Sequence, residues 1–190
     1  MTQRRGLAIG ALVVSTAAIG WVLFVGLPRW YGPRSTTLAP AKPAASPSAG
    51  RKIKARLFYI SEDGTRLTGV ERDVAYGDGA AAQAAEIVKA QIAPVTGSLL
   101  SAVPPGTALR ALYLTSSGEA FVDLSREIVT AHPGGSLDEL LTVYAIVNAL
   151  TMNLPAVTSV QVLVDGKEVD TLAGHVDLRR PLAKNVSWVE

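Results

Sequence analysis

The sequence predicts an α+β domain in which two helices pack on a mainly antiparallel sheet of short strands, preceded by one transmembrane helix. The domain is predicted by short β-branched and aromatic runs between turn residues, and by two longer segments with helical spacing of apolar residues. Strand pairs interrupted by single helices are typical of this class. The transmembrane helix is predicted by 22 successive residues without a charge, residues 6–27.

The composition separates a basic N-terminal part from a slightly acidic domain. Of the 190 residues, 48% are hydrophobic and 18% are charged, and the mean hydropathy is +0.28. Residues 1–50 hold five Lys/Arg and no acid, whereas residues 51–190 hold 13 Lys/Arg and 16 Asp/Glu. Because the domain has no excess of cations to neutralise phosphates, we expect no nucleic acid partner. The sequence contains no cysteine, which excludes disulfides, thiolate metal ligands and a lipidated cysteine.

Residues 6–27 are predicted to be an uncleaved membrane anchor. As a helix they would extend ~33 Å, compared with a hydrocarbon core of ~30 Å. A cleaved signal peptide is the alternative, but its apolar region is ~7–15 residues long and ends in small residues, whereas residues 21–27 are bulky. We expect residues 1–5 in the cytoplasm and the C-terminal domain on the outer side of the cytoplasmic membrane.

Residues 28–50 are predicted to be a linker. They contain five prolines among Ala, Ser, Thr and Gly, and too little bulky apolar surface to offset the entropy cost of folding. If mostly polyproline-like, the linker would reach up to ~70 Å. The folded domain is therefore expected at residues 51–190.

The first half of the domain is predicted to be a β-hairpin followed by a helix. Strands at residues 53–60 and 67–76 flank an Asp63-Gly64 turn. A helix over residues 79–93, capped by Asp78, should follow. Its buried stripe is predicted to comprise Ala84, Ala85, Val88 and Ile92.

The second half is predicted to contain two more strand pairs. Residues 108–115 and 119–124 should form a hairpin through a Ser-Ser-Gly turn. Residues 159–164 carry valines on one face, and Asp165-Gly166 should turn this strand into a partner at residues 167–172.

A long helix is predicted between these strand pairs, at residues 136–152. Ser136 and Glu139 have capping-box spacing at its start. The stretch around Asn148 is almost wholly apolar, so we expect most of the helix to be covered. A buried amide needs partners, and Asn148 is predicted to bond to the backbone of an adjoining loop.

Several short motifs follow one another along the domain. They are Leu57-Phe58-Tyr59; Leu67, Val70 and Arg72; the turn 103–107; the strand end 122–125; the helical stretch 144–150; Val164-Asp165-Gly166; and residues 173–178, closing at Pro181. In order and spacing, residues 53 to about 182 resemble the GerMN domain of bacterial sporulation and germination proteins. The resemblance implies a compact extracytoplasmic module related in shape to ring-building domains, with roles in peptidoglycan-linked processes or assembly and no accepted catalytic residue. The best-known member has two copies of the domain and a lipidated cysteine, so a sporulation role is not carried over.

Cofactor and metal sites are weakly supported by the sequence. Residues 77–82 fit G-x-G-x-x-A, but no acid follows at ~20 positions and no parallel strand returns promptly, so a turn and a helix cap are expected instead of a dinucleotide site. The two histidines, His132 and His175, lack the spacing of metal ligands. A triad of Ser125, His175 and Asp177 or Asp123 can be drawn, as it can in any chain with these residue types. We predict no cofactor and no metal.

A glycan-cleaving enzyme with two carboxylates ~5–9 Å apart is the main catalytic alternative. Its candidates are Glu119, Asp123 and Glu127. Glu119 and Asp123 are expected on the solvated face of their strand, where a charge needs no special purpose. Asp123 and Ser125 are also expected to bond the backbone where the strand ends.

We therefore predict a non-catalytic binding or assembly module. Its partner would be an envelope protein or peptidoglycan, and a homo-oligomeric scaffold is a further alternative. The candidate partner surface comprises Arg72, Asp123, Ser125, Arg126, Asn148, His175, Asp177, Arg179 and Arg180. Arg72 lies beside two acids and is expected in a surface ion pair.

Overall fold

The computed structural model describes residues 50–95 and 97–190. The predicted anchor at residues 6–27 and the linker up to residue 49 lie outside the described residues. Within the described ranges, no helix combines the length and the apolar character needed to cross a membrane.

Groups of two or three strands are separated by helices along the described chain. In order they are β1 (Lys52–Ile60), β2 (Leu67–Ala75), α1 (Ala80–Ile92), β3 (Leu109–Leu114), β4 (Glu119–Leu124), α2 (Glu127–Thr130), α3 (Ser136–Asn153), β5 (Ser159–Val164), β6 (Lys167–Glu168) and β7 (Leu182–Ala183). The predicted α+β class is confirmed, with the single-turn helix α2 as an unpredicted addition.

The strands form two sheets. In the β1–β2 ribbon, Lys52 lies opposite Ala75 and Ile60 opposite Leu67. The second sheet has the order β3-β4-β5-β6, with β7 also paired to β5. Four of the five pairings are antiparallel, but β4 and β5 are parallel. Helix α3 makes this parallel pair possible because it returns the chain from the end of β4 to the start of β5.

Helix α3 lies at the centre of the domain, where it contacts α1, β1 and β5. The predicted covering of this helix is confirmed. The side chains that it buries are Glu139, Leu141, Thr142, Val143, Ala145, Ile146, Val147, Asn148, Ala149 and Leu150. Burial around nearly the whole circumference explains why the segment is so apolar.

Both long helices begin after a glycine. The predicted caps are wrong: neither Asp78 nor Ser136 makes a capping side-chain bond, and the N-cap positions are Gly79 (φ 87°) and Gly135 (φ 89°). Residues with a side chain rarely adopt these left-handed angles, whereas glycine does so at no steric cost. Glu139 takes no part in a capping box, because its carboxylate bonds elsewhere.

The turn before α1 has a second constraint, at Gly77. A Cβ atom there would lie 2.4 Å from the Ala82 carbonyl carbon, and the Gly77 N–H donates to Gln83 Oε1 at 3.0 Å. The glycines of residues 77–82 therefore form a turn and a helix start, as predicted.

Helix α1 buries amides as well as aliphatic side chains. Ala84 and Val88 are buried as predicted, whereas Ala85 and Ile92 are only half-buried. The rest of the buried stripe consists of Gln83, Ile87 and Gln91. Gln91 is fully buried because both ends of its amide have backbone partners: Nε2 donates to Phe58 O at 2.7 Å and Oε1 accepts the Phe58 N–H at 2.9 Å.

The last predicted strand is much shorter than expected. Asp165 and Gly166 form the predicted turn with φ of 51° and 76°, but only Lys167 and Glu168 pair with β5. The chain then bends, because Asp170 O accepts the Leu178 N–H at 2.8 Å. Residues 169–181, between β6 and β7, form what we term the C-terminal loop.

Candidate functional site

The C-terminal loop gathers four of the predicted partner residues on the surface. His175, Asp177, Arg179 and Arg180 are all exposed. Leu178 points inward and is buried, and Leu178 O accepts Gln161 Nε2 of β5 at 2.5 Å. The loop therefore combines charged side chains facing solvent with an anchored backbone.

A buried carboxylate holds the other side of this loop. Glu139 of α3 is 0% exposed. It accepts the Leu172 N–H at 2.7 Å and the His175 N–H at 2.8 Å. Burial by itself would raise the pKa of the Glu139 carboxyl, but backbone N–H donors from the loop, Ala173 foremost, hold that pKa below its ordinary value. The ionised form of Glu139 is thus part of the loop's structure.

Asp177 and Arg179 form a pair within the loop. Arg179 Nε donates to Asp177 Oδ1 at 2.9 Å, and an Nη atom donates to Oδ2 at 2.8 Å. Hydrogen bonding from Arg179 holds the pKa of Asp177 well below its usual range. Among the described residues, no carboxylate lies within 4.0 Å of Arg180. Arg180 is therefore the loop cation available to a partner.

A second group lies where β4 ends. Asp123 is 7% exposed, so the predicted solvated position is wrong. Its Oδ1 accepts the Gly166 N–H at 2.7 Å, and its Oδ2 lies 3.8 Å from Arg110 Nε. Ser125 Oγ accepts the Ala108 N–H at 3.0 Å. The prediction that Asp123 and Ser125 fix the backbone at the strand end is confirmed.

The three acids considered for glycan cleavage lie on β4 and at the start of α2. Glu119 and Asp123 stand four residues apart on one strand, which corresponds to ~13 Å. This is beyond the ~5–9.5 Å of paired glycosidase carboxyls. The pKa of Glu127 is lowered, first by a hydrogen bond from Ser125. A lowered pKa does not suit a general acid, which must hold a proton near neutral pH.

The remaining predicted partner residues occupy three separate environments. Arg126 is exposed at the N-cap of α2. Arg72 is exposed on β2. The ion pair expected for Arg72 is not found among the described residues, and its neighbour Asp73 is paired with Lys54 Nζ at 2.7 Å. Asn148 is 0% exposed and therefore does not belong to the surface.

Asn148 has the structural role that its sequence context predicted. Its Nδ2 donates to Asn185 O at 2.8 Å, and its Oδ1 accepts the Asn185 N–H at 3.0 Å. Helix α3 is thereby joined to the segment after β7.

The sequence reasoning missed Glu139 as the residue that organises the loop. A signal was present: Glu139 stands three, four and seven positions before Thr142, Val143 and Ile146, all buried. Residues at this spacing share one helix face, so a glutamate among them must be buried and needs donors.

Residues 56–170, more than half of the chain, match the family profile described as Germane: Sporulation and spore germination. The chain belongs to the Germane family. The resemblance to a single GerMN domain is thereby confirmed. No curated protein matches the sequence of the Germane chain.

Solved GerMN domains share the fold of the Germane domain. The tandem GerMN domains of the sporulation protein GerM from Bacillus subtilis are similar with a TM-score of 0.54 and 16% identity, over 70% of this chain and 46% of that chain. The first GerMN domain of that protein gives a TM-score of 0.46 and 16% identity, over 70% and 96%. A candidate lipoprotein from Clostridium perfringens gives 0.49 and 24%, over 70% and 88%. At 16% identity, the likeness to the tandem domains concerns the fold alone.

Proposed function

We propose that this Germane chain is a non-catalytic binding or assembly module of the cell envelope, anchored in the cytoplasmic membrane by residues 6–27 and displayed outside it on the linker 28–50. The partner would be an envelope protein or peptidoglycan, bound through the C-terminal loop. Membership of a family described by sporulation and spore germination supports an envelope process. The uncharged run at residues 6–27 and the proline-rich segment after it support display at a distance from the bilayer.

The single observation that carries the proposal is the way Glu139 holds the C-terminal loop. A buried, ionised carboxylate is costly unless it is fully hydrogen-bonded. Here it bonds the backbone of the loop, at Leu172 and His175, while Asp177, Arg179 and Arg180 of the same loop are exposed and charged. A loop whose backbone is fixed loses little conformational entropy on binding, and this favours recognition.

The proposal is tested by site-specific photocrosslinking from the full chain in intact cells. A crosslinking residue at His175 should capture an envelope protein or peptidoglycan, because His175 is exposed and only its backbone N–H serves the fold. The same residue placed at the exposed Ala82 of α1 is the control and should give no such adduct. Arg180→Glu should abolish the His175 adduct without lowering the melting temperature.

Two other outcomes would replace this proposal. Adducts between two copies of the chain alone would indicate a homo-oligomeric scaffold. New reducing ends in peptidoglycan treated with the purified chain would indicate the glycan-cleaving enzyme.

A further inference from the structure

The outer edge of the β1–β2 ribbon differs sharply between its two strands. In an antiparallel pair, every second residue points its N–H and C=O away from the partner strand. On β1 these residues are Lys52, Lys54, Arg56, Phe58 and Ile60, and the outward groups of Lys52 and Lys54 have no partner among the described residues. The Asn153 amide bonds both backbone groups of Arg56, Gln91 bonds both of Phe58, and the Ile60 N–H donates to Leu100 O at 2.8 Å. The β1 edge is therefore covered from Arg56 to Ile60.

The β2 edge is covered only at its two ends. At the first end, the Leu67 N–H donates to Trp188 O at 2.7 Å, and Leu67 O accepts the Glu190 N–H at 3.0 Å. At the other end, Ala75 O accepts Gln83 Nε2 at 3.0 Å.

Between these ends the backbone groups of three residues are open. The outward N–H and C=O groups of Gly69, Glu71 and Asp73 have no partner among residues 50–95 and 97–190. Glu71 and Asp73 are exposed, and Gly69 is partly exposed. Three donors and three acceptors thus alternate along one accessible edge, which is the template for another strand.

The protein's own C-terminal segment shows that this edge accepts a strand. Val189 bridges to Leu67 in parallel: Trp188 O accepts the Leu67 N–H, and the Glu190 N–H donates to Leu67 O. A further strand bound at residues 68–74 would continue from this existing pairing along the same edge.

The charges on the edge indicate what the added strand carries. Glu71 and Asp73 lie on the same face of β2, because side chains alternate along a strand. On that face of β1, Arg56 stands opposite Glu71 and Lys54 opposite Asp73. Lys54 Nζ pairs with Asp73 at 2.7 Å, whereas Glu71 makes no ion pair among the described residues. Two copies paired in antiparallel fashion about Glu71 would place the two Glu71 carboxylates side by side, and a register shift of two residues would place Glu71 beside Asp73. Like charges directly opposite are destabilising. The edge therefore disfavours a second copy and favours a strand with a basic residue opposite Glu71.

We propose that β2 residues 68–74 bind an extended segment of a different protein as a third strand of the ribbon, with Lys or Arg facing Glu71. Main-chain hydrogen bonds would hold the segment and the cation opposite Glu71 would select it, as in other cases of strand addition. This site involves none of the residues of the C-terminal loop, so the proposal is independent of the function proposed above.

The test uses residue-resolved amide hydrogen exchange on the full chain in detergent micelles. The probe is a capped peptide of sequence TKTKTKT, and the control peptide is TETETET. We expect the basic peptide to slow exchange at Gly69, Glu71 and Asp73 by at least about tenfold, because only these amides gain an acceptor. The amides of residues 68, 70 and 72 point toward β1 and should change little. The acidic peptide should have no effect.

Two variants separate the backbone from the charge. Glu71→Pro removes one outward N–H while leaving the bonds to β1, since proline is tolerated on an edge strand, and it should abolish the protection. Glu71→Gln keeps every backbone group and the Lys54–Asp73 ion pair, and it should weaken binding, most strongly at low salt. Glu168→Gln on β6 is the matched control and should bind normally.

The proposal fails if saturating TKTKTKT leaves the three amides unprotected, or if the acidic peptide protects them equally. It also fails if protection rises with protein concentration when no peptide is present, because that result would identify a second copy as the occupant. Absence of the His175 photocrosslinks would not change the expected protection of Gly69, Glu71 and Asp73, because the two sites share no residue.

Discussion

Glu139 and His175, 36 residues apart in sequence, are joined by a hydrogen bond of 2.8 Å from the His175 backbone N–H to the Glu139 carboxylate. One partner is fully buried in the central helix and the other is exposed on the C-terminal loop. The bond therefore fixes the backbone of the charged C-terminal loop relative to the central helix α3. Three of the predictions below concern buried side chains that join distant segments in this way.

Glu139→Gln is expected to destabilise the domain by about 1.5–3 kcal/mol at pH 7, because a neutral amide replaces a charged acceptor of buried N–H groups. The pKa of Glu139 is lowered in the fold from its ordinary value of 4.5. The unfolded chain therefore takes up the proton first, so this stabilisation is complete above 4.5 and is lost as the pH falls through the folded pKa.

Urea unfolding measured at several pH values checks this expectation. The variant should show a shallower loss of stability below pH 4.5 than the natural chain. The exposed Glu168 provides a matched Glu168→Gln control, which should behave like the natural chain. An identical pH profile for both variants would remove Glu139 from its proposed role.

Asn148→Leu is expected to cost about 1–3 kcal/mol, because both backbone groups of Asn185 lose their partner. The exposed neighbour Lys184 allows a control, since Lys184→Leu changes the same segment without removing a buried bond. Thermal unfolding measures the difference. An unchanged melting temperature together with lost partner binding would assign Asn148 to recognition instead.

Gln91→Leu is expected to destabilise the domain by about 1–3 kcal/mol, because the N–H and C=O of Phe58 would be left unpaired in the interior. Gln91→Glu should be at least as damaging, since it keeps the acceptor but replaces the donor with a buried charge. Ala82→Leu on the exposed side of α1 is a suitable control. Equal stability of all three variants would show that the β1 edge needs no amide.

The purified full chain is expected to leave peptidoglycan chemically intact. Its Glu119 and Asp123 carboxyls are too far apart along β4 to act as a glycosidase pair, and Asp123 is occupied by the Gly166 N–H. Reducing-end assays and mass spectrometry of digested sacculi measure this. Cleavage products that are formed by the natural chain and disappear with Glu119→Gln would contradict the prediction. Loss of products with Asp123→Asn would be less informative, because that change also removes the acceptor of the Gly166 N–H in the turn.

Residues 6–27 are expected to remain on the mature chain, with a C-terminal tag accessible from outside the cytoplasm. The physical reason is the length of the apolar run and the bulk of residues 21–27, which do not suit a cleavage site. N-terminal sequencing and protease protection of spheroplasts check both points. A mature N-terminus within residues 28–50 would contradict the anchor.

The sequence by itself determined the elements that depend on nearby residues. Alternating residues predicted β1 to β5, and the spacing of apolar residues predicted α1 and α3, because these periods follow from backbone geometry. Polar residues in short local contexts were also predicted correctly. Asp123 bonds the backbone beside its strand end, and the buried Asn148 has a loop partner.

Only the tertiary structure decided which segments meet. The parallel pairing of β4 with β5 brings together residues about 40 positions apart, such as Glu119 and Ser159, and no local pattern records that register. For the same reason the sequence predicts a helix cap at Glu139: its spacing from Ser136 satisfies the local rule equally well. The choice between capping and loop binding depends on burial, and burial is set by the segments that pack around α3. The open edge of β2 likewise became visible only when the partners of every other edge residue were in place.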